Sequence, residues 1–261
     1  MRRTVSFLFL LAAVPSALAQ ADKERMVLKN AKEVLSSLAD LPESGIPKVI
    51  LDDAHGFLIV PDLVKVGFVV GGKHGRGVAV MKDEAGVWSN PVLIHMTGGS
   101  IGWQAGVESI DLVLVIRKKK TVEELLTARK FTLDANAGLA VGPLGRDLQA
   151  KTDVKFKAEM YSYSRSRGLF GGVSIGGGSL RVDQRGNRTL YGADVSPLDL
   201  ARAVVTAPPA ELTELKATLA VLSPPPPAPI QLTPVPVSPS PSAKPVAPPP
   251  KKEEKMEVRR Y

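Results

Sequence analysis

Residues 161–172 read YSYSRSRGLFGG. Just upstream, Val154, Phe156, Ala158 and Met160 alternate with Lys155, Lys157, Glu159 and Tyr161. A period of two is that of a strand buried on one face. Downstream, Val173 and Ile175 begin a second strand. Between the two lies Ser166-Arg167-Gly168, whose glycine supplies the positive φ of a tight reversal. The stretch predicts a β-hairpin with Arg165 and Arg167 at its tip.

Working outward, the central chain repeats this glycine-rich strand-and-turn pattern. Apolar runs at 57–60, 66–70, 78–81, 87–94 and 109–116 read as strands, as do 137–141, 180–182 and 189–191. Pro91 suggests an edge or a bulge. Gly71-Gly72-Lys73-His74-Gly75-Arg76-Gly77 reads as a basic loop, and Arg185-Gly186-Asn187 as a turn. In TGGSIGWQAGVE, residues 97–108, four glycines make room for the Trp103 indole. All 23 glycines fall between Gly45 and Gly192. Glycine inside strands marks bulges and corners, so the sheet should be strongly bent. The fold class is α+β: a bent, barrel-like antiparallel sheet with an N-terminal amphipathic helix and short flanking helices.

The ends differ from the middle. Residues 1–19 read as a secretory signal peptide: Arg2 and Arg3, an apolar run over 5–14, then Ala17-Leu18-Ala19 as the cleavage site. The run is too short to cross ~30 Å of hydrocarbon. The twin arginines lack the rest of a Tat signal, so the expected route is Sec, and the expected location is periplasmic or secreted. Residues 22–40 read as a helix, with Val27, Ala31, Val34 and Leu38 on a stripe and Lys23, Arg25, Lys29 and Lys32 on a basic side. The stripe either packs on the domain or lies on an anionic membrane. Short helices are expected over 48–54, after a capping box at Thr121-Val122-Glu123-Glu124, over 198–205, and along Leu212, Leu215, Leu219 and Leu222. Thirteen of the 22 prolines lie between Pro224 and Pro250, the composition of an extended, disordered spacer. The expected organisation is a signal peptide to 19, one domain over 20–192, a helical extension over 193–222 and a Pro-rich tail over 223–261.

The formal charge is +8. Without Arg2 and Arg3 it becomes +6, a modest excess that favours anionic partners. The chain has no cysteine and three scattered histidines, His55, His74 and His95. Thiolate metal sites and disulfides are therefore excluded, and no recognised metal spacing occurs. There is no G-x-S-x-G, no HExxH and no Walker pattern, and residues 71–77 lead into a strand where a dinucleotide fingerprint needs a helix. Few aromatics and an export signal argue against nucleic acid. No catalytic constellation, metal or cofactor is expected.

The ordered motifs carry a resemblance. Lys65-Val66-Gly67-Phe68 with Gly71-Gly72, Gly75-x-Gly77-Val78, Trp88-Ser89-x-Pro91, the segment from Gly98 to Gly106, Gly142-Pro143-Leu144-Gly145-Arg146, residues 161–170 and Tyr191-Gly192 together resemble the SYLF domain. The resemblance covers about residues 31–192. It implies a lipid-binding module, found in bacteria and, in eukaryotes, joined to Src-homology or FYVE domains. It also implies phospholipid binding, with phosphoinositides preferred in eukaryotic members, some of which bundle actin.

The expectation is a non-enzymatic, exported phospholipid-binding protein at a membrane surface. Its head-group contacts would be Lys23, Arg25, Lys29, Lys32, Lys73, Arg76, Arg165 and Arg167. The alternative is a cell-envelope scaffold that engages a protein partner through the Pro-rich tail. Export argues against actin as a partner.

Overall fold

The computed structural model describes residues 14–41, 45–134, 136–144, 157–166, 169–192, 194, 196–206 and 208–225; for 14–19, 68–70 and 100–105 it describes the backbone. Two strands dominate. β1 (Gly56–Met81) and β2 (Val92–Ile116) pair antiparallel from Gly56↔Ile116 to Ala79↔Val92. The expected basic loop at 71–77 is therefore strand: Gly71 to Gly77 pair with Ser100 to Ile94. Its glycines serve close approach within a sheet rather than a turn.

That close approach shapes the domain. A straight strand would set Gly56 and Val80 roughly 80 Å apart. Instead, a Cβ on Gly56 would lie 2.8 Å from the Val80 carbonyl oxygen, and one on Gly75 would lie 2.6 Å from Val60 Cγ1. A Cβ on Gly77 would run into the Ile59 carbonyl. The β1–β2 ribbon is thus folded back on itself, and β1 meets its own other half across a seam of glycines. Lys82 N donates to His55 O at 2.9 Å where the ends of β1 meet.

The far edge of β2 takes the remaining strands. Asp111–Ile116 pairs with β5 (Met160–Ser166), and Ile94–Gly98 with β7 (Gly178–Val182). β3 (Phe131–Leu133) joins β7. β4 (Leu139–Val141) and β6 (Leu169–Gly172) join β5. The result is a nearly closed, barrel-like sheet, mixed rather than purely antiparallel because β4 runs parallel to β5.

The opening hairpin is β5–β6, closing at Ser166↔Leu169. Residues 167–168 at its tip, and 145–156 before it, lie outside the described residues. The second strand begins at Leu169, not Val173. Tyr163, fully buried, stacks on Phe170 with ring centroids 5.5 Å apart and donates its hydroxyl to Pro143 O at 3.2 Å. The tyrosine motif and the Gly142-Pro143 turn are therefore one packing unit.

Both sheet faces are buried. Phe57, Ile59, Val78, Val80, Val113 and Val115 face α1 (Val14–Ala39), α2 (Lys48–Asp52) and a helix we number α6 (Ala210–Leu222). Leu58, Val60, Ile94, Met96, Leu112 and Leu114 face α3 (Lys119–Thr127) and α5 (Pro197–Arg202). This double burial explains why the strands read as continuous apolar runs. α6 places Leu212, Leu215 and Leu219 in the same core as Leu28, Ala31 and Leu35 of α1, so the C-terminal helical stretch packs as part of the domain.

Two local expectations are corrected. Residues 185–191 are not turn and strand but a helix, α4 (Gln184–Tyr191). The Asp183 carboxylate caps it by accepting from Gly186 N at 2.8 Å, and Gly192 ends it at φ 68°. Asn187 Oδ1 accepts from Leu93 N at 2.8 Å, so a side chain supplies what a strand backbone would have. The capping box at Thr121 does not form. α3 starts two residues earlier, and the Thr121 hydroxyl donates to Glu159 Oε2 at 2.9 Å.

Candidate functional site

The eight cations fall into two populations. Lys23, Arg25 and Lys29 are exposed on α1, and Lys32, half-buried, pairs with Glu214 of α6 at 3.2 Å. The apolar stripe of this helix is committed inward: Leu28, Ala31 and Leu35 are fully buried. At about 100° per residue, Arg25, Lys29 and Lys32 lie within roughly 60° of one another on the outer side. The helix is longer than the predicted 22–40 and includes residues 17–19.

The remaining cations serve the fold. Lys73 is buried, and its Nζ donates to Ile175 O at 3.0 Å and Gly176 O at 2.9 Å. Burial pushes its pKa down, and Lys65 adds to that. Arg76 Nη2 pairs with Glu24 of α1 and with Asp183 at 2.7 Å. Glu24 is fully buried and also accepts from Gln20. His95 Nε2 lies 3.1 Å from Asp183 Oδ2, and His74 stacks on His95. Burial alone would raise the Asp183 pKa, but the Gly186 amide, Arg76 and His95 together hold it below the usual carboxylate range. Arg165 forks onto Asp111 at 2.7 and 2.8 Å, clamping β5 to β2. Arg167 lies outside the described residues. Reading 71–77 as a loop made Lys73 and Arg76 look solvated; as strand residues they point to partners 52 to 107 positions away.

Two concavities flank these elements. A shallow groove of about 240 Å³ runs between α1 and β1, lined by Val27, Asn30, Pro61, Asp62, Val64 and His74 among others. A larger cleft of about 490 Å³ lies beside Trp88 and holds Asp83, Glu84, Lys119, Arg202 and Lys216. Lys119 and Glu84 pair there at 2.6 Å. Among the described residues no three His, Asp or Glu side chains gather as a metal site, and no helix is long and apolar enough to cross a membrane.

Sequence reasoning passed over the valines on the ribbon between its two buried ends. Val66 and Val107 are directly opposite each other and half to three-quarters exposed. The signal was available in the alternation Val64-Lys65-Val66, of which only Val66 fell within the strand expected over 66–70, whereas β1 runs through all three.

The fold and surface define an α+β domain: a bent sheet with both faces packed at its two ends, and a docked helix that exposes Lys23, Arg25 and Lys29 together with Asp22 and Glu33. Residues 97–222 match the family described as Ysc84: Las17-binding protein actin regulator. The chain is 34% identical over 188 residues to the human SH3 domain-containing YSC84-like protein 1, an alignment covering 72% of this chain and 54% of the human protein. It is 32% identical over 196 residues to the cattle protein of the same name, covering 75% and 57%. Over 167 residues it is 33% identical to Protein YSC84 of Saccharomyces cerevisiae, covering 63% and 36%. The chain is a member of the SYLF, or Ysc84, domain family. It spans a little over half the length of the mammalian relatives it matches.

Proposed function

We propose that this protein is an exported, non-enzymatic SYLF domain that binds anionic phospholipid surfaces from the side, in the periplasm or outside the cell. The carrying observation is the division of labour on α1: its apolar stripe fills the core while Lys23, Arg25 and Lys29 face solvent. Each cation near an anionic surface contributes ~1 kcal/mol. Lys73, Arg76 and Arg165 are left out of this contact because they are held by internal partners.

Co-sedimentation with phosphatidylglycerol vesicles tests it. Binding should vanish on phosphatidylcholine and weaken steeply with salt. Binding indifferent to lipid charge would remove the electrostatic reading. A second reading is favoured by the family description, which names a protein partner: a scaffold that recruits an envelope protein through residues 224–250. Deleting residues 227–261, which leaves the buried Ser223 and its hydrogen bonds in place, separates the two, since lipid binding survives the deletion and a scaffold role does not.

A further inference from the structure

We infer that the folded-back middle of the β1–β2 ribbon is a membrane wedge, entering the acyl boundary of the bilayer that α1 meets at head-group level. This rests on the lipid-surface reading above and adds a second, apolar contact to it.

Among the described residues the ribbon has no further neighbour strand there: β5 leaves β2 at Asp111 and β7 leaves it at Gly98, so between residues 99 and 110 the described partner of β2 is β1. A Cβ at Gly99 or Gly106 would meet nothing within 4 Å. Val66 is 50% and Val107 74% exposed, and they face each other across the ladder. A two-stranded ribbon with exposed cross-strand valines has no packing of its own to favour that arrangement in water.

The chemistry of the stretch selects the occupant. Over residues 64–72 and 99–109 the only charges are Lys65 and Glu108, which pair directly at 3.7 Å and cancel. The register breaks between Gly67 and Val69, so residues 103–105 bulge against Phe68. That places Trp103, one of two tryptophans, in the turn-back of the ribbon. Apolar, charge-neutral and carrying an aromatic is the composition of an interfacial membrane element. A binder of acidic protein or nucleic acid would need free cations here.

The position agrees. The α1–β1 groove joins Val27 and Asn30 of the helix to Pro61 and Val64 at the ribbon's root. Lys23, Val27 and Asn30 share one helix face, so a basic side chain sits one turn from that root. Five or six residues of ribbon beyond Val64 reach ~15–20 Å, more than the ~5–10 Å to the acyl boundary.

Tryptophan emission of the full chain, with phosphatidylglycerol vesicles carrying brominated acyl chains, tests the wedge. Trp88 is 3% exposed and gives a constant background. On binding, wild-type emission should shift to the blue and be quenched, and W103F should still sediment while losing both changes. V66D/V107D should lower partitioning at least tenfold with an unchanged circular dichroism spectrum. Sedimentation of the protein with Trp103 unquenched overturns the wedge and leaves head-group binding standing. Failure to sediment on acidic vesicles overturns both. A wild-type dimer that V66D/V107D dissolves would assign the ribbon to a second copy of this chain instead.

Discussion

A helix with exposed cations and an apolar stripe, on a protein proposed to bind lipid, invites the idea that it peels off and inserts its apolar face. The packing of α1 argues against this, and the two alternatives separate quantitatively. Release would expose Leu28, Val34, Leu35 and Leu38, each at most 5% accessible. At ~1.5–3 kcal/mol per side chain, that costs about 6–12 kcal/mol. It would also strip Arg76 from the buried Glu24. Lys23, Arg25 and Lys29 together contribute only ~3 kcal/mol at an anionic surface. The helix should therefore bind while docked.

Two variants read this out. K23Q/R25Q/K29Q should weaken binding to acidic vesicles by ~3 kcal/mol, roughly 150-fold, and leave stability within about 0.5 kcal/mol. L35A should lower stability by ~2–5 kcal/mol through a cavity between α1 and the sheet, and should bind vesicles with wild-type affinity at temperatures where it is folded. The assay is co-sedimentation at low salt, paired with urea denaturation. If L35A binds more tightly than wild type, the helix is being released and the docked picture is lost. If the triple variant binds like wild type, the cations are not the contact.

Other outcomes follow from the fold. G77A places a methyl against the Ile59 backbone, which cannot yield as a side chain would, and should cost at least ~3 kcal/mol in urea denaturation; G99A, in open space, should be near neutral. The Asp183 carboxyl is held below the usual range, so its stabilising contribution is complete above that range and disappears as the pH falls through the depressed value. D183N should accordingly flatten the acid limb of Tm against pH below about pH 4. W88F removes the Nε1 donor to Ser223 O, 3.1 Å away, and should lower stability by ~1–2 kcal/mol.

How much of this was legible depended on whether the deciding partner was near in sequence. A hairpin was readable at 161–172, but its first arm is β5 (Met160–Ser166), buried without a break from Met160 to Tyr163 rather than alternately, and the turn glycine, Gly168, lies outside the described residues. The stripe on α1 and the leucine spacing of α6 were also readable. The bent, barrel-like character was readable from glycine confinement, although its cause, β1 meeting itself at Gly56, Gly75 and Gly77, was not. Residues 71–77 looked like a loop because glycine-rich and basic is the composition of a loop; only pairing with residues 94–100 makes them strand. Residues 185–191 looked like turn and strand because the contact that fixes the helix against the sheet, the Asn187 side chain on the Leu93 backbone, lies nearly a hundred positions away in sequence. A cation's letter carries no record of its partner: Arg76 is neutralised by Glu24 and Asp183, 52 and 107 positions distant.

Those inward cations matter to the surface they do not join. Arg76 ties Glu24 of α1 to the cap of α4, and through Asp183 to His95 on β2. Lys73, three residues earlier on the same strand, holds the 175–176 backbone against the ribbon. Helix, sheet and ribbon root are thereby fixed to one another by buried or half-buried charge, which is costly to pull apart because each group would be left unpaired. On the lipid-surface proposal, a surface fixed in this way would meet a bilayer with Lys23, Arg25 and Lys29 already oriented, so little ordering entropy would oppose the contact. On that argument the internal ion pairs are the reason a handful of exposed cations suffices: they hold α1 in place, and α1 presents the charge.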